Sequence, residues 1–145
     1  MHIYLQNINT IHGFNCCSTY YMKLRFSKNA VRFRLSKSEV TLLNKNGELF
    51  ETIQYGPDSN DQFHYGIEKS YTTDYQFIKY DNKFIVKIPE IVCDEWCRSE
   101  MIGLEKTINS HVNPFLILVE KDFKCLTERQ NEDESDNFDN PNSSC

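Results

Sequence analysis

Alternating apolar and polar positions predict β-strands along most of the chain. From position 22 to position 35, apolar residues alternate with Lys and Arg on either side of a turn, a pattern typical of a hairpin with one apolar and one basic face. Similar short patterns predict six more strands, at positions 49–55, 62–69, 75–80, 83–88, 102–108 and 115–121. The last of these is almost continuously apolar, so it is the best candidate for a central strand.

Two short helices are predicted between the strands. Ser36 and Glu39 have the spacing of a capping box, in which a hydroxyl and a carboxylate satisfy backbone amides at a helix start, and Gly47 is suited to end that helix. Pro89 is suited to the first turn of a second helix that extends to about position 99, with Trp96 on its inward face. Each helix therefore follows one predicted hairpin and precedes another.

The order hairpin, helix, hairpin occurs twice. When the chain is shifted by 52 positions, Phe63 falls on Phe115, Glu68 on Glu120 and Lys69 on Lys121. Antiparallel strands share patterns easily, so an internal duplication and a coincidence both stay open. The sequence predicts an α+β fold: a mainly antiparallel sheet or open barrel of about eight strands with two short helices, possibly built from two hairpin–helix–hairpin halves that share one core.

The length and composition fit one folded domain with looser ends. The chain has 145 residues, of which 39% are apolar, enough to form a core. We predict a loose N-terminal extension or mis-assigned start at residues 1–21, a single domain at 22–127 and an acidic disordered tail at 128–145. No apolar run is as long as a membrane helix and no export signal is recognised, so a cytoplasmic protein with reduced cysteines is expected.

The negative charge of the chain is concentrated in its tail. The formal net charge is −5, from 21 acidic and 16 basic residues. Six of the acids, but only Arg129 among the bases, lie from position 128 onward, so the rest of the chain is balanced. The first hairpin is locally basic, with Arg25, Arg32 and Arg34 expected on its outer face.

This basic hairpin is the first candidate binding surface. A nucleic acid or a phosphate group could bind there, but Phe26 and Phe33 are expected to face inward and cannot form the base-stacking platform of a nucleic-acid binder. We therefore do not expect nucleic acid as the partner. For the acidic tail, two alternatives stay open: it folds back over the hairpin and neutralises it, or it is solvated.

The end of the last strand is the second candidate binding region. Glu120 and Asp122 are two positions apart, on one face if the strand continues, and paired carboxylates can exchange protons or hold a divalent cation. Lys69 and Lys121 are expected beside them, so a salt-bridge ladder is the competing interpretation. The candidate binding residues of both regions are Arg25, Arg32, Arg34, Glu120, Lys121, Asp122, Cys125 and Arg129.

Three cysteines allow chemistry that we do not favour. Cys93 and Cys97 lie one helical turn apart and could both reach a zinc ion, but a second complete ligand pair is absent, so neither a metal nor another cofactor is predicted. Cys125 could act as a nucleophile if His64 or His111 lowered its pKa. An enzyme centred on Cys125, dependent on its thiol or on a metal, is therefore the alternative function, although no catalytic residue is assigned.

The C-terminal segment resembles that of a known family. The sequence Glu-Lys-Asp-Phe-Lys-Cys-Leu at positions 120–126 is followed by an acidic stretch that includes Phe138. Together with a Met-Lys-Leu-Arg strand that begins at Met22, these features resemble a family of short uncharacterised bacterial proteins, a domain of unknown function with a Lys-Asp-Phe-x-Cys-Leu segment and an acidic C-terminal tail. The resemblance covers residues 22–142 and supports Met22 as the natural start. It implies no reaction, cofactor or partner.

These observations favour a small soluble bacterial binding or interaction module over an enzyme. Its partner is expected to be a protein or a small molecule, with no membrane involved, and its oligomeric state is left open. The interaction would use the basic hairpin and the segment from Glu120 to Arg129.

Overall fold

The computed structural model describes residues 21–109, 112–127 and 131–142, so most of the predicted N-terminal extension, His111 and Arg129 lie outside the described residues. Within these ranges, eight strands and two helices follow one another in the predicted order, which confirms the α+β class. The elements are β1 (Lys23–Ser27), β2 (Ala30–Leu35), α1 (Lys37–Asn46), β3 (Glu48–Gln54), β4 (Gln62–Ser70), β5 (Gln76–Tyr80), β6 (Lys83–Pro89), α2 (Glu90–Arg98), β7 (Gly103–Ile108) and β8 (Phe115–Lys121). Neither of the described helices has the length and apolar composition needed to cross a membrane.

The two helices begin differently. At α1 the predicted capping box forms: the Ser36 amide donates to Glu39 Oε2 at 2.8 Å, and the Ser36 hydroxyl accepts from the Glu39 amide. Gly47 follows α1 with a φ of 78°, a left-handed conformation that costs glycine little. At α2 the preceding residue is Pro89, which supplies no side-chain hydrogen bond to the first turn. Helix α1 therefore has a side-chain cap at its start, and α2 has none.

The strands form two separate four-stranded sheets. The first sheet has the order β1-β2-β8-β7 and the second the order β3-β4-β6-β5, and no closed barrel forms within the described part of the chain. Each half of the chain contributes one hairpin to each sheet. The hairpins are antiparallel, whereas the strands that join the halves, β2 with β8 and β4 with β6, are parallel. The sheets are therefore mixed rather than purely antiparallel.

Exchanging the two halves maps one sheet onto the other. Strand β2 pairs with β8 so that Leu35 is opposite Lys121, and β6 pairs with β4 so that Ile88 is opposite Lys69. The amides of both lysines donate to the carbonyl of the residue before β3 or β7, at 2.8 and 2.9 Å. The two halves thus occupy equivalent positions. A gene duplication as the origin of this relation stays a prediction.

One apolar core lies between the two sheets and the inner faces of both helices. Trp96 of α2 and Phe33 of β2 are its largest fully buried side chains. The Tyr65 hydroxyl of β4 donates to the Met22 carbonyl at 2.7 Å and so joins the second sheet to the start of the first. Because buried residues of both sheets and both helices belong to a single cluster, the two halves share their core, as predicted.

Part of the acidic tail, within residues 131–142, packs against the domain. Phe138 forms a parallel backbone bridge with Phe123, and Asn137 is buried. Asp136 contacts the first turn of α1 and not the outer face of the first hairpin. The segment is held because Phe138 has an aromatic partner and Asp136 has the backbone amides of a helix start.

Candidate functional site

Three arginines lie on the outer face of the first sheet. The residues that alternate with them on β2 are fully buried, so Arg32 and Arg34 face outward, and Arg25 on β1 lies directly opposite Arg32. On the other side of β2, Arg32 is beside Leu118 and Arg34 is beside Glu120 of β8. We call this surface the arginine face; its residues are Arg25, Arg32, Arg34, Leu116, Leu118 and Glu120.

The arginine face has more positive charge than its acids balance. Glu120 Oε2 lies 3.4 Å from Arg34 Nε and 3.6 Å from Arg32 Nε, so one carboxylate serves two guanidinium groups. Arg25 forms no ion pair with any described residue. Like charges directly opposite each other in an antiparallel pair repel, so the Arg25–Arg32 pair costs stability unless an anion lies between the two side chains.

A shallow concavity with a partly apolar floor accompanies these charges. It has a volume of about 280 Å³ and is lined by Arg25, Ser27, Ala30, Arg32, Leu116 and Leu118. Two guanidinium groups beside two leucines suit a ligand that combines an anionic group with an apolar one.

The predicted strand-end residues divide between two places. Glu120 joins the arginine face, whereas Lys121 is buried on the other side of β8, where its ammonium donates to the Ser99 carbonyl and lies 5.9 Å from the Trp96 ring. Asp122 is also buried and pairs with Lys23 at 2.7 Å. Of the predicted group, only Glu120 therefore contributes to the arginine face.

The carboxylates at the end of β8 form ion pairs, although not with the partners expected. The sequence suggested a ladder with Lys69 and Lys121, with Glu68 across from it. Instead, Glu120 and Asp122 pair with cations of the first hairpin. Glu68 belongs to the second sheet, where it pairs with Lys87 at 3.1 Å. The reason is that each half of the chain contributes one hairpin to each sheet, so the first hairpin and β8 lie in the same sheet.

The described residues do not place a candidate histidine beside Cys125. The Cys125 amide donates to Glu134 Oε2 at 3.0 Å in the segment that follows β8. His64 lies near the start of β4, with its Nδ1 atom 2.7 Å from Thr52 Oγ1, and His111 is outside the described residues. The thiol-enzyme alternative therefore gains no support from the histidine that can be located.

The thiols of Cys93 and Cys97, one turn apart on α2, are joined by a hydrogen bond. Cys93 is fully buried and Cys97 is partly buried. The hydrogen bond between the two thiols raises the pKa of Cys93, with burial acting in the same direction, and lowers the pKa of Cys97. No group of three or more candidate ligands that could hold a metal ion occurs among the residues that the structure describes.

Leu116 and Leu118 are the parts of the arginine face that sequence reasoning missed. The run from Phe115 to Val119 is apolar at every position, which is typical of a central strand in a parallel pairing. That signal could have indicated that the outer face of β8 is apolar too. By itself, the apolar run predicts a central strand and does not show which residues lie on its outer face.

The structure defines the protein as an α+β domain of two mixed four-stranded sheets that carries an arginine-rich outer face. The chain belongs to the family of unknown function DUF7009, whose model matches residues 22–142. No curated protein and no solved structure matches the chain.

Proposed function

We propose that this protein is a binding module that holds an extended acidic segment of a partner protein on the arginine face. The carrying observation is the direct opposition of Arg25 and Arg32, with Glu120 as the one described carboxylate that pairs with Arg32 or Arg34. Such a pair is unfavourable in the isolated domain and becomes favourable when carboxylates of a ligand lie between the two guanidinium groups.

The apolar floor favours a peptide over a simple anion. An extended segment can direct a carboxylate toward Arg25 and Arg32 while an adjacent apolar side chain covers Leu116 or Leu118. A nucleic acid fits less well, because Phe33 is fully buried and Phe26 packs against Phe84 with ring centroids 5.7 Å apart. Neither ring is therefore available on the arginine face for base stacking.

The proposal also includes the class of organism and the cell compartment. We infer a bacterial, cytoplasmic binding protein, in line with the sequence-based prediction, in which Cys125 has no catalytic role. Replacing Cys125 with Ser is then expected to leave binding of the acidic segment unchanged.

The test uses an acetylated peptide of sequence Leu-Glu-Glu-Leu-Glu with a fluorescent label, titrated with the full chain at low salt. We expect saturable binding, and we expect a protein with both Arg25→Ala and Arg32→Ala to bind at least about tenfold more weakly, since charge-assisted hydrogen bonds are lost. A variant with Lys45→Ala and Lys106→Ala removes the same number of positive charges elsewhere and is the matched control. Equal weakening in both variants, or no saturable binding by the native chain, would contradict the proposal.

A further inference from the structure

The chain fills one end of its own fold with the segment around Asp136 and Phe138. The Lys37 amide donates to the Asp136 carbonyl at 3.0 Å, and the Ser38 hydroxyl donates to Asp136 Oδ1 at 2.9 Å, both at the start of α1. Two residues further on, the Phe138 ring lies 5.9 Å from the Phe123 ring. We call this region, at the start of α1 and the end of β8, the filled site.

The filled site also uses backbone pairing. The Phe138 amide donates to the Asp122 carbonyl at 2.8 Å, and the Lys124 amide donates to the Phe138 carbonyl at 2.9 Å. The segment therefore runs parallel to the residues that follow β8. The Lys121 ammonium also contacts this segment and lies 5.4 Å from the centre of the Phe138 ring. An extended segment with one aromatic anchor is thus held by the backbone, a ring and a helix start.

When the two halves of the chain are compared, the filled site corresponds to the region at the start of α2 and the end of β4. There the described part of the chain leaves an open cleft of about 510 Å³. Lys69 corresponds to Lys121, and the two ammonium groups donate to backbone carbonyls near the C-terminal ends of α1 and α2 respectively. We call this opening the helix-end cleft; its lining includes Asn44, Glu48, Glu68, Lys69, Tyr71, Glu90 and Arg98.

An aromatic side chain at the helix-end cleft lacks the cover that its counterpart has. Tyr71 lies two residues beyond Lys69, as Phe123 lies two residues beyond Lys121, so the two residues have corresponding positions along the chain. Phe123 is partly buried by Phe138, whereas Tyr71 is 95% exposed. The cleft therefore presents an uncovered aromatic ring at the position where the filled site holds a ring pair.

The charge at the two positions is reversed. The first residue of α1 is Lys37, beside an acidic segment, and the first residue of α2 is Glu90. In the cleft, Glu48 lies directly opposite Glu68, and of these two only Glu68 has an ion-pair partner among the described residues, Lys87. This opposition of like charges favours a cation in the cleft.

Most other groups in the cleft act in the same direction, although Lys45 also lines it. Asp94 already pairs with Lys69 and with Arg98, so neither cation is left to attract an acidic ligand as strongly. The carbonyl end of α1 also lines the cleft, and a helix C-terminus favours positive charge.

We propose that the helix-end cleft binds an extended segment of a partner protein in which a basic residue precedes an aromatic residue by two positions. The aromatic ring packs on Tyr71, the basic side chain lies near Glu48 and Glu90, and the backbone runs parallel to the residues after β4. The backbone pairing and the ring contact are those of the filled site, whereas the basic side chain, which has no acceptor atom, is held by the carboxylates of Glu48 and Glu90 and not by the amides of a helix start. The inference is independent of the arginine face.

The probe is a labelled peptide with the sequence of residues 131–142 in which Lys replaces every Asp and Glu. Titration with the full chain, followed by fluorescence anisotropy, is expected to show saturable binding. Tyr71→Ala is expected to weaken it at least about tenfold, and Glu90→Lys by a similar factor. Tyr80→Ala removes another exposed tyrosine, 73% exposed on β5, and serves as the matched control that binds normally.

A second probe separates the proposed mode from general attraction of a basic peptide to an acidic protein. It is the same peptide with Ala in place of the phenylalanine, and it should bind about tenfold more weakly than the first probe. Absence of saturable binding, equal binding by Tyr71→Ala and the native chain, or equal binding of the two peptides would each overturn the proposal. Unchanged binding by the chain with Arg25→Ala and Arg32→Ala is also expected, so this test fails or succeeds separately from that of the arginine face.

Discussion

The filled site and the helix-end cleft are two versions of one structural position. Both lie where a central parallel strand ends beside the start of a helix, and both have a lysine that donates to a carbonyl near the end of the other helix. At the filled site the chain supplies its own Asp136 and Phe138. At the cleft it leaves Tyr71 exposed. The common framework is therefore independent of whether a segment is bound.

The difference between the two positions separates residues that stabilise the domain from residues that are exposed for binding. The filled site has a capping box, with Glu39 buried at the third position of α1, and an additional contact from the tail. The corresponding third residue of α2 is Val92, and Pro89 gives no side-chain cap. Residues of the filled site are thus expected to stabilise the domain, whereas exposed residues of the cleft can change with little effect on stability.

The largest expected effect is that of Phe138→Ala. The substitution removes the ring that contacts Phe123 and Lys121 and that anchors the segment from residue 131 to residue 142. We expect the free energy of unfolding to fall by about 3 kcal/mol, near the lower end for loss of a packed aromatic ring, because Phe138 is only partly buried. Urea denaturation followed by circular dichroism measures this change.

Tyr71→Ala is the matched control at the corresponding position of the cleft. Its ring is exposed, so its removal is expected to change the free energy of unfolding by less than about 0.5 kcal/mol. Similar losses for the two variants would show that the sites do not differ in the way proposed.

A second difference between the sites concerns the pH dependence of stability. Burial raises the pKa of Glu39 to about 7, with small contributions from Glu51 of β3 and Asp136 of the tail, although hydrogen bonds from Ser36 lower it. The ordinary pKa of this carboxyl is 4.5, so between pH 4.5 and 7 the folded state holds a proton that the unfolded state releases. The contribution of Glu39 to stability therefore decreases as the pH rises through this window.

Glu39→Gln should abolish this contribution while preserving the capping box, because Gln can also accept from the Ser36 amide. Between pH 5 and pH 7 the native chain is expected to lose about 2 kcal/mol more stability than the variant. Val92, at the corresponding position of α2, has no titrating group, so Val92→Ala is a control whose pH dependence should match that of the native chain. Parallel curves for the native chain and Glu39→Gln would contradict this account.

Most elements of the fold could be predicted from local sequence, because each depends on nearby residues. The capping box at Ser36 and the left-handed Gly47 are local, and both formed as expected. The sheet order could not be predicted, because the apolar pattern of β8 is compatible with any neighbour. Its parallel pairing with β2 joins residues 86 positions apart, such as Arg34 and Glu120. The sequence carries no local signal for such a contact.

The candidate sites show the same limit. The outward position of Arg32 follows from alternation along one strand, which sequence reasoning can use. Lys121 was expected near Glu120, but adjacent residues of a strand face opposite sides, and Lys121 is buried. The helix-end cleft combines groups from β3, β4 and both helices, and only comparison with the filled site indicates that it is a binding site. Only the folded structure makes that comparison possible.

The smallest of the expected effects concerns the contact of Asp136 with the start of α1. Its carboxylate accepts from the Ser38 amide at 3.2 Å and from the Ser38 hydroxyl at 2.9 Å. Asp136→Ala removes both the acceptor and the negative charge at a helix N-terminus and should cost about 1 kcal/mol. Asp136→Asn keeps an acceptor and loses only the charge, so it should cost about half as much.

The comparison between Asp136→Ala and Asp136→Asn tests what the tail contributes to α1. If the contact is a helix cap, the difference between the two variants persists at high salt, because a hydrogen bond is not screened as an exposed charge is. If the two variants are equally stable at every salt concentration, charge alone accounts for the contact. In that case an acceptor is not needed at a helix start of this fold, so a basic segment without acceptor side chains can lie beside the start of α2.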